Sequence, residues 1–174
     1  MKSDNVANFD YTGLKTPRYV YDLDQTIIES RHRQLFDSNG KLDINHWIHM
    51  KTYENVMKDT LLPVASHMKD VYKRGHCVVI CTSRNINQFD LDFLKKHNLN
   101  FHIMLCRKHG DHRSSADMKY ELLSNLMNEH KCHTIFYEDH NEVLKKIKTI
   151  DGISPIDSKP INYPKHHSPL GTFM

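Results

Sequence analysis

Short apolar segments alternate with longer amphipathic segments along this chain, and this alternation restricts the fold more than any other feature. The segment His76–Cys81 is apolar throughout after its first residue, as in a strand that is covered on both faces. Arg18–Asp22, Phe101–Leu105 and Thr134–Tyr137 are predicted to be further short strands. Strands that alternate with helices build a parallel sheet with helices on both faces. We therefore predict an α/β, Rossmann-like fold.

Helices are predicted between these strands from their apolar stripes and their stop signals. The first runs from about Asp59 to Arg74, with Pro63 tolerated in its first turn and Gly75 ending it. The others are Gln88–His97, Asp117–His130 and a segment through Val143 and Ile147.

The 174 residues are enough for one domain with a substantial core. We predict a domain over residues 1–153, with a flap at about 27–55, and an extended tail over 154–174 that contains four prolines. No apolar stretch approaches the ~20 residues of a membrane span, and Met1–Asn5 lack the apolar core of a secretory signal. We expect a cytoplasmic protein without membrane contact. The net charge of +3 permits nucleic acid as a partner without requiring it.

Two carboxylates follow the first predicted strand, in the sequence Asp22-Leu23-Asp24-Gln25-Thr26. Side chains alternate along a strand, so Asp22 and Asp24 are expected on the same side. At ~4 Å and an effective dielectric constant of about 20, their repulsion is roughly 4 kcal/mol. Such a pair suits a dication, or phosphoryl transfer in which one carboxylate attacks phosphorus and the other protonates the leaving oxygen. The alternative is an acidic junction whose carboxylates accept hydrogen bonds from local backbone N–H groups.

Other polar residues also stand where predicted strands or helices begin and end. Thr82 and Ser83 follow the second strand, Lys119 lies near the start of a helix, and Glu138-Asp139 follow the fourth strand. Ligands of open α/β sheets bind at the carboxyl ends of the strands. Each residue alone has a structural explanation as a helix cap or a solvated charge, but their common position predicts a site for a dication and a phosphoryl group.

Taken together, these residues resemble the four motifs of the haloacid dehalogenase (HAD) superfamily of phosphohydrolases. Those motifs are D-x-D-x-T, an apolar strand ending in Thr or Ser, a Lys, and an acidic pair after a strand. The resemblance covers residues 18–148. One departure is Glu138-Asp139, where two aspartates are more usual; for the metal we favour Asp139, with Glu138 and Glu142 as alternatives.

The resemblance implies a Mg²⁺-dependent phosphatase. Asp22 would form an aspartyl-phosphate, and Asp24 would protonate the leaving alcohol and then activate water. Asp22, the backbone carbonyl of Asp24 and Asp139 would hold Mg²⁺. Thr82 and Lys119 would bind phosphate oxygens.

The sequence leaves little room for a cap domain, and this bears on the kind of substrate. Only 55 residues separate Thr26 from Thr82, enough for a helix and a small flap. An open site suits a nucleic-acid end or a protein, although a homo-oligomer could also close it. Thr82-Ser83-Arg84 and Arg107 resemble the phosphatase half of phage polynucleotide kinase–phosphatases, in which Ser83, Arg84 and Arg107 would contact substrate. No G-x-x-x-x-G-K-[ST] kinase loop is present.

The leading hypothesis is therefore a polynucleotide 3′-phosphatase acting in nucleic-acid end repair. The first alternative is a 5′(3′)-nucleotidase, with flap residues such as Trp47 and Tyr53 stacking on the base. A protein phosphatase and a non-catalytic phosphate-binding module are further alternatives. All but the last use Mg²⁺ as cofactor.

Overall fold

A five-stranded parallel sheet forms the centre of the protein, in a computed structural model that describes residues 9–165. The strand order is β5-β4-β1-β6-β7. β1 lies in the middle, and its Tyr21 pairs with Ile80 on one side and with Tyr137 on the other. The strands are β1 (Lys15–Tyr21), β4 (His76–Thr82), β5 (Ile103–Cys106), β6 (Thr134–Glu138) and β7 (Ile153–Asp157).

Helices cover both faces of this sheet, as the alternation of the sequence predicts. The four helices are α3 (Val64–Lys73), α4 (Gln88–Lys96), α5 (Ser115–Glu129) and α6 (Asn141–Ile147). Successive side chains of β4 point to opposite faces: Val79 packs in one apolar cluster with α5 and α6, and Ile80 in the other with α3 and α4. The α/β, Rossmann-like fold is confirmed.

A small flap connects β1 to α3. Two short strands, β2 (Ile28–Glu29) and β3 (Thr60–Leu61), pair antiparallel and close its base. Between them lie a 3₁₀ turn and the helices α1 (Ile44–His49) and α2 (Tyr53–Met57).

The predicted start of the first of the four helices that cover the sheet, which is α3, was wrong. Instead of beginning near Asp59, α3 begins at Val64 after Pro63, because Thr60 and Leu61 pair with β2. This long-range pairing has no local signal in the sequence. The predicted end is confirmed: Gly75 follows α3 with φ +85°, a backbone conformation that favours glycine.

The expectation of an extended tail from Ser154 was also wrong over the described residues. Residues 153–157 form β7, which pairs in parallel with β6, and Lys159–Asn162 form the short helix α7. Pro155 obscured the strand in the sequence, but proline is tolerated on an edge strand because one side has no neighbour. Residues 166–174, the remainder of the predicted tail, lie outside the described residues. Within residues 9–165 no helix is long and apolar enough to cross a membrane.

Candidate active site

The carboxylate of Asp22 lies at the centre of the carboxyl edge of the sheet, directly after β1. Its side chain is almost fully buried, and its backbone N–H donates to the carbonyl of Tyr137. The ammonium of Lys119, from the second turn of α5, donates to Asp22 Oδ1 and to Glu138 Oε2, both at 2.6 Å. Three separate elements therefore bring Asp22, Lys119 and Glu138 together.

Glu138 and Asp139 complete a carboxylate cluster with Asp22. One ligand oxygen from each of the three residues lies within 4.8 Å of the others. The second oxygen of Glu138, Oε1, accepts from the backbone N–H groups of Asp139 and His140 at 3.1 Å. Both Glu138 oxygens are therefore engaged, whereas Asp22 Oδ2 and the carboxylate of Asp139 accept no hydrogen bond from a side chain of the described residues. Glu142 lies exposed in α6, outside the cluster.

The cluster carries more negative charge than its single ammonium compensates. Burial and the charge of Glu138 raise the pKa of Asp22, and burial and the charge of Asp22 raise the pKa of Asp139 to about 6. Burial opposes the charge on Lys119, but the two carboxylates outweigh that effect and raise its pKa. Three carboxylates against one ammonium leave a net negative site of hard oxygen ligands, which fits Mg²⁺.

Asp24 lies beside this cluster but has a different environment. Arg84 donates to it twice, from Nε to Oδ2 at 2.8 Å and from Nη2 to Oδ1 at 2.6 Å, and Ser30 Oγ donates to Oδ1 at 2.5 Å. Burial alone would raise the pKa of Asp24; the charge and hydrogen bonds of Arg84 outweigh it and hold the pKa below its usual range. Asp22 and Asp24 are thus shifted in opposite directions, as expected for two carboxylates with different tasks.

Arg84 belongs to a buried network of ion pairs that connects Asp24 to the flap. Its Nη1 donates to Asp90 Oδ1 at 2.9 Å, and its Nη2 lies 3.4 Å from Asp59. Asp59 also accepts two hydrogen bonds from Arg33, whose side chain is fully buried. The ring of Trp47 covers both guanidinium groups, 4.3 Å from that of Arg33 and 5.6 Å from that of Arg84. The guanidinium of Arg84 is therefore a structural partner of Asp24, with almost no exposed surface.

The remaining predicted residues lie near the site but have internal partners. The hydroxyl of Thr82 is buried and accepts from the N–H of Arg84, and Ser83 Oγ donates to Ser115 Oγ at 2.8 Å. Arg107 donates to three backbone carbonyls, including that of Ser83 at 3.0 Å. Arg107 thus holds the loops after β4 and β5 together.

Several residues of the site were missed by the sequence reasoning. Ser30, Asp59 and Asp90 fix Asp24 and Arg84, and only Asp90 had a local signal, as the third residue after the helix cap Asn87. Lys159, assigned to the tail, donates to the backbone carbonyl of Asp139 at 2.5 Å.

Comparison with known proteins identifies a family and solved structures of the same fold. The sequence model of the Bacteriophage T5 5′-deoxynucleotidase family matches residues 14–164. The chain belongs to this family. Among curated proteins no match was found.

Solved structures show the same fold at low sequence identity. A haloacid dehalogenase-like hydrolase from Streptococcus pneumoniae is 11% identical over 80% of this chain and 83% of its own, with a TM-score of 0.59. A HAD-superfamily hydrolase from Geobacter sulfurreducens is 13% identical over 83% and 88%, with a TM-score of 0.55. A chain of the Pnkp1/Rnl/Hen1 RNA repair complex is 21% identical over 87% of this chain, with a TM-score of 0.54. Our chain spans only 46% of that chain.

The solved structures show that the fold is the one found in HAD-superfamily hydrolases, which together with the family match confirms the resemblance seen in the sequence.

Proposed function

We propose that this protein is a Mg²⁺-dependent 5′-deoxynucleotidase that hydrolyses deoxynucleoside 5′-monophosphates through an aspartyl-phosphate. One observation carries the proposal. The deoxynucleotidase family matches residues 14–164, and within them Asp22, Lys119 and Asp139 meet at the edge of the sheet.

Asp22 is assigned the role of nucleophile. Its Oδ2 attacks phosphorus while the bond between phosphorus and the nucleoside 5′-oxygen breaks. Lys119 holds Asp22 through Oδ1 and leaves Oδ2 available for this attack. Water then attacks the phosphorus of the aspartyl-phosphate, which releases inorganic phosphate and restores Asp22.

Asp24 is assigned the two proton transfers. It gives a proton to the leaving 5′-oxygen and takes one from the attacking water. Arg84 keeps the pKa of Asp24 low, and the negative charge of an arriving phosphate group raises it again, so that Asp24 is able to carry the proton for the first step. The role proposed for Arg84 is thus to position Asp24 and set its proton affinity.

The cofactor proposed is Mg²⁺, held by Asp22, Asp139 and the backbone carbonyl of Asp24. When bound, it would neutralise negative charge on the phosphate oxygens. Lys119, and Thr82 at the end of β4, are the residues proposed to bind phosphate oxygens, and Lys119 is already oriented toward Asp22.

We favour a mononucleotide over a polynucleotide as the substrate, because the arginines near the site are engaged in contacts within the protein. Arg84 and Arg107 were expected to contact the substrate, but Arg84 is buried in ion pairs and Arg107 donates to three backbone carbonyls. Trp47 stands next to Arg84 and is only partly buried, whereas Tyr53 is half exposed and packs edge-on against Phe89 at 5.8 Å. These two aromatic side chains of the flap are candidates to contact the base.

A polynucleotide 3′-phosphatase remains the second candidate. The flap is small, and the sheet edge carries no larger insertion within residues 9–165. The fold shared with the Pnkp1/Rnl/Hen1 RNA repair complex is compatible with this activity.

The deciding experiment is to measure phosphate release from a deoxynucleoside 5′-monophosphate and from a 3′-phosphorylated oligonucleotide, with Mg²⁺ and with EDTA. We expect Mg²⁺-dependent release from the mononucleotide, with kcat/KM at least tenfold higher than for the oligonucleotide. The reverse preference would replace the proposal by the second candidate. Release in EDTA equal to that in Mg²⁺ would refute the proposed cofactor.

A further inference from the structure

A cavity of about 350 Å³ lies at the amino ends of the strands, at the opposite edge of the sheet from the carboxylate cluster. The starts of β1 and β4 form one side of it, and the segment after α5 forms the other. Its polar lining includes Tyr11, Lys15, Arg18, Glu129 and Lys131.

Arg18 is the unusual residue of this cavity, because its charge is buried without a counter-ion. It is 1% exposed, and its Nε and Nη2 donate to the neutral atoms Thr134 Oγ1 and Met127 Sδ at 3.2 and 3.0 Å. Nη1 has no hydrogen-bond partner, and no carboxylate of residues 9–165 lies within ion-pair distance. The other two buried arginines, Arg33 and Arg84, both pair with aspartates. Burying an unpaired charge is costly, so this arrangement calls for an anion.

Tyr11 supplies a second donor in the same place. Its hydroxyl is buried and has no hydrogen-bond partner among the described residues, and its ring lies 5.9 Å from the guanidinium carbon of Arg18. Burial raises the pKa of Tyr11 to about 12, so the hydroxyl keeps its proton at neutral pH. Two residues that line the cavity thus each carry a buried donor without a hydrogen-bond partner.

The charge at the cavity favours an anion as well. Lys15 and Lys131 line it together with Arg18, against the single carboxylate of Glu129. Lys131 forms one exposed ion pair with Asp151 at 3.2 Å, an interaction of little strength in water.

We propose that this cavity is a second anion site, which binds a phosphate-class oxyanion through Arg18 Nη1 and the hydroxyl of Tyr11. The ligand is inorganic phosphate or the phosphate group of a nucleotide. The cavity volume of about 350 Å³ is large enough for a phosphate group. For comparison, one water molecule takes up about 30 Å³ in the liquid. The inference does not depend on the proposed catalytic function, because no residue of the carboxylate cluster takes part.

The test is calorimetric titration and thermal unfolding with inorganic phosphate in metal-free buffer. We expect phosphate to bind and to raise the Tm of the wild-type protein, and Arg18→Met to weaken this binding at least roughly tenfold, because hydrogen bonds to charged groups are strong. Arg74→Met is the matched control: this arginine is exposed, and among residues 9–165 it forms an ion pair with Asp70 alone, so phosphate binding should be unchanged. Equal binding by wild-type protein and Arg18→Met, or no binding by either, would overturn the proposal.

Two further measurements keep the test independent of folding and of catalysis. Arg18→Met is expected to unfold without phosphate at a temperature no lower than wild type, because the variant no longer buries an unpaired charge. If it does not fold, Tyr11→Phe removes one donor with little change in shape and should weaken phosphate binding. Turnover of Arg18→Met at low phosphate should equal that of wild type; a loss of turnover with phosphate binding intact would overturn the assignment of a separate site.

The source of the anion is identified by repeating the titration with a deoxynucleoside monophosphate. Tighter Arg18-dependent binding of the nucleotide would identify a nucleotide as the ligand, and tighter binding of inorganic phosphate would identify the free anion. Arg18-independent binding of both would refute the site.

Discussion

Arg84 holds both carboxylate oxygens of Asp24, with Nε donating to Oδ2 at 2.8 Å and Nη2 donating to Oδ1 at 2.6 Å. This paired geometry fixes the plane of the carboxylate as well as its position. The same guanidinium binds Asp90 of α4 and lies 3.4 Å from Asp59 at the base of the flap. The orientation of the proposed proton-transfer group is therefore set by the packing of the flap against the core.

Arg84→Lys should lower kcat/KM by about tenfold to a hundredfold, because lysine keeps the charge but cannot make the paired contact. The pKa of Asp24 should rise when the paired contact is lost; since Asp24 must be protonated to act on the leaving oxygen, the alkaline limb of the pH–rate profile should move to higher pH. Measuring the profile beside thermal unfolding separates this effect from misfolding. Arg74→Lys is the control, and an unshifted profile in Arg84→Lys would rule out the positioning role.

Asp22→Asn should abolish turnover, by at least about 10³-fold, because an amide cannot form the acyl-phosphate. The fold should survive, and Tm without metal should stay equal or rise, since the substitution removes a buried charge that Glu138 repels. Asn keeps an oxygen that accepts from Lys119. Phosphate release and Tm are measured on the same preparation; turnover within tenfold of wild type would exclude the covalent mechanism.

Mg²⁺ should raise the free energy of unfolding, because the metal site proposed at the carboxylate cluster exists in the folded protein and not in the unfolded chain. The expected gain is about 2.7 kcal/mol at 100 times the dissociation constant. Asp139→Asn should lose most of this gain. Glu142→Gln is a matched control, because Glu142 lies three residues further along and is exposed; equal gains in both variants would place the metal elsewhere.

The stability of the protein should fall in acid partly because of His67. Its Nδ1 lies 2.9 Å from the hydroxyl of Tyr21, and burial, then the charge of Arg74, lowers its pKa below the usual 6.5. A histidine whose pKa is lowered by folding binds its proton more tightly in the unfolded chain. Its contribution is therefore fully present above the unfolded pKa and is lost as the pH falls below it.

The measurement compares unfolding free energies of wild type and His67→Gln at about pH 7.5 and about pH 5.5. Wild type should lose more stability over this range than the variant, since the other histidines are common to both. His49→Gln, at an exposed position of α1, should behave as wild type. An equal loss in wild type and His67→Gln would contradict the assignment.

The sequence predicted those parts of the fold that depend on local pattern and on the meeting of strand ends. The apolar segment at His76–Cys81 is β4, which extends one residue further to Thr82. Asp22 and Asp139 lie together because the carboxyl ends of β1 and β6 share one edge of the sheet, and Lys119 reaches this edge from the second turn of α5. The role of Arg84 could not be predicted from the sequence, because its partners Asp24, Asp59 and Asp90 come from separate elements. A charged residue next to a motif has the same local sequence whether it faces substrate or a buried aspartate.

The prediction of an extended tail from Ser154 was wrong for a similar reason, since β7 and α7 depend on partners far away in the sequence. This segment has a testable role in the site. Asn162 of α7 accepts from the N–H of Val64 at 3.1 Å and donates to the carbonyls of Gln25 and Thr26 at 3.2 and 2.9 Å. Those carbonyls belong to the turn after Asp24, where Gln25 has φ +62°, an uncommon conformation for a residue with a side chain. Asn162 thus joins the start of α3 to a strained turn beside the proposed acid.

Asn162→Ala should therefore lower the free energy of unfolding by about 2–3 kcal/mol, because three backbone groups, two of them buried, lose their partner. It should also lower kcat more than it raises KM, since the turn that follows Asp24 is free to relax from its strained conformation. Urea unfolding and steady-state kinetics measure both effects. Asn128→Ala, at an exposed position of α5, is the control and should change neither. A stability loss below about 0.5 kcal/mol would mean that water replaces these hydrogen bonds and that α7 does not support the site.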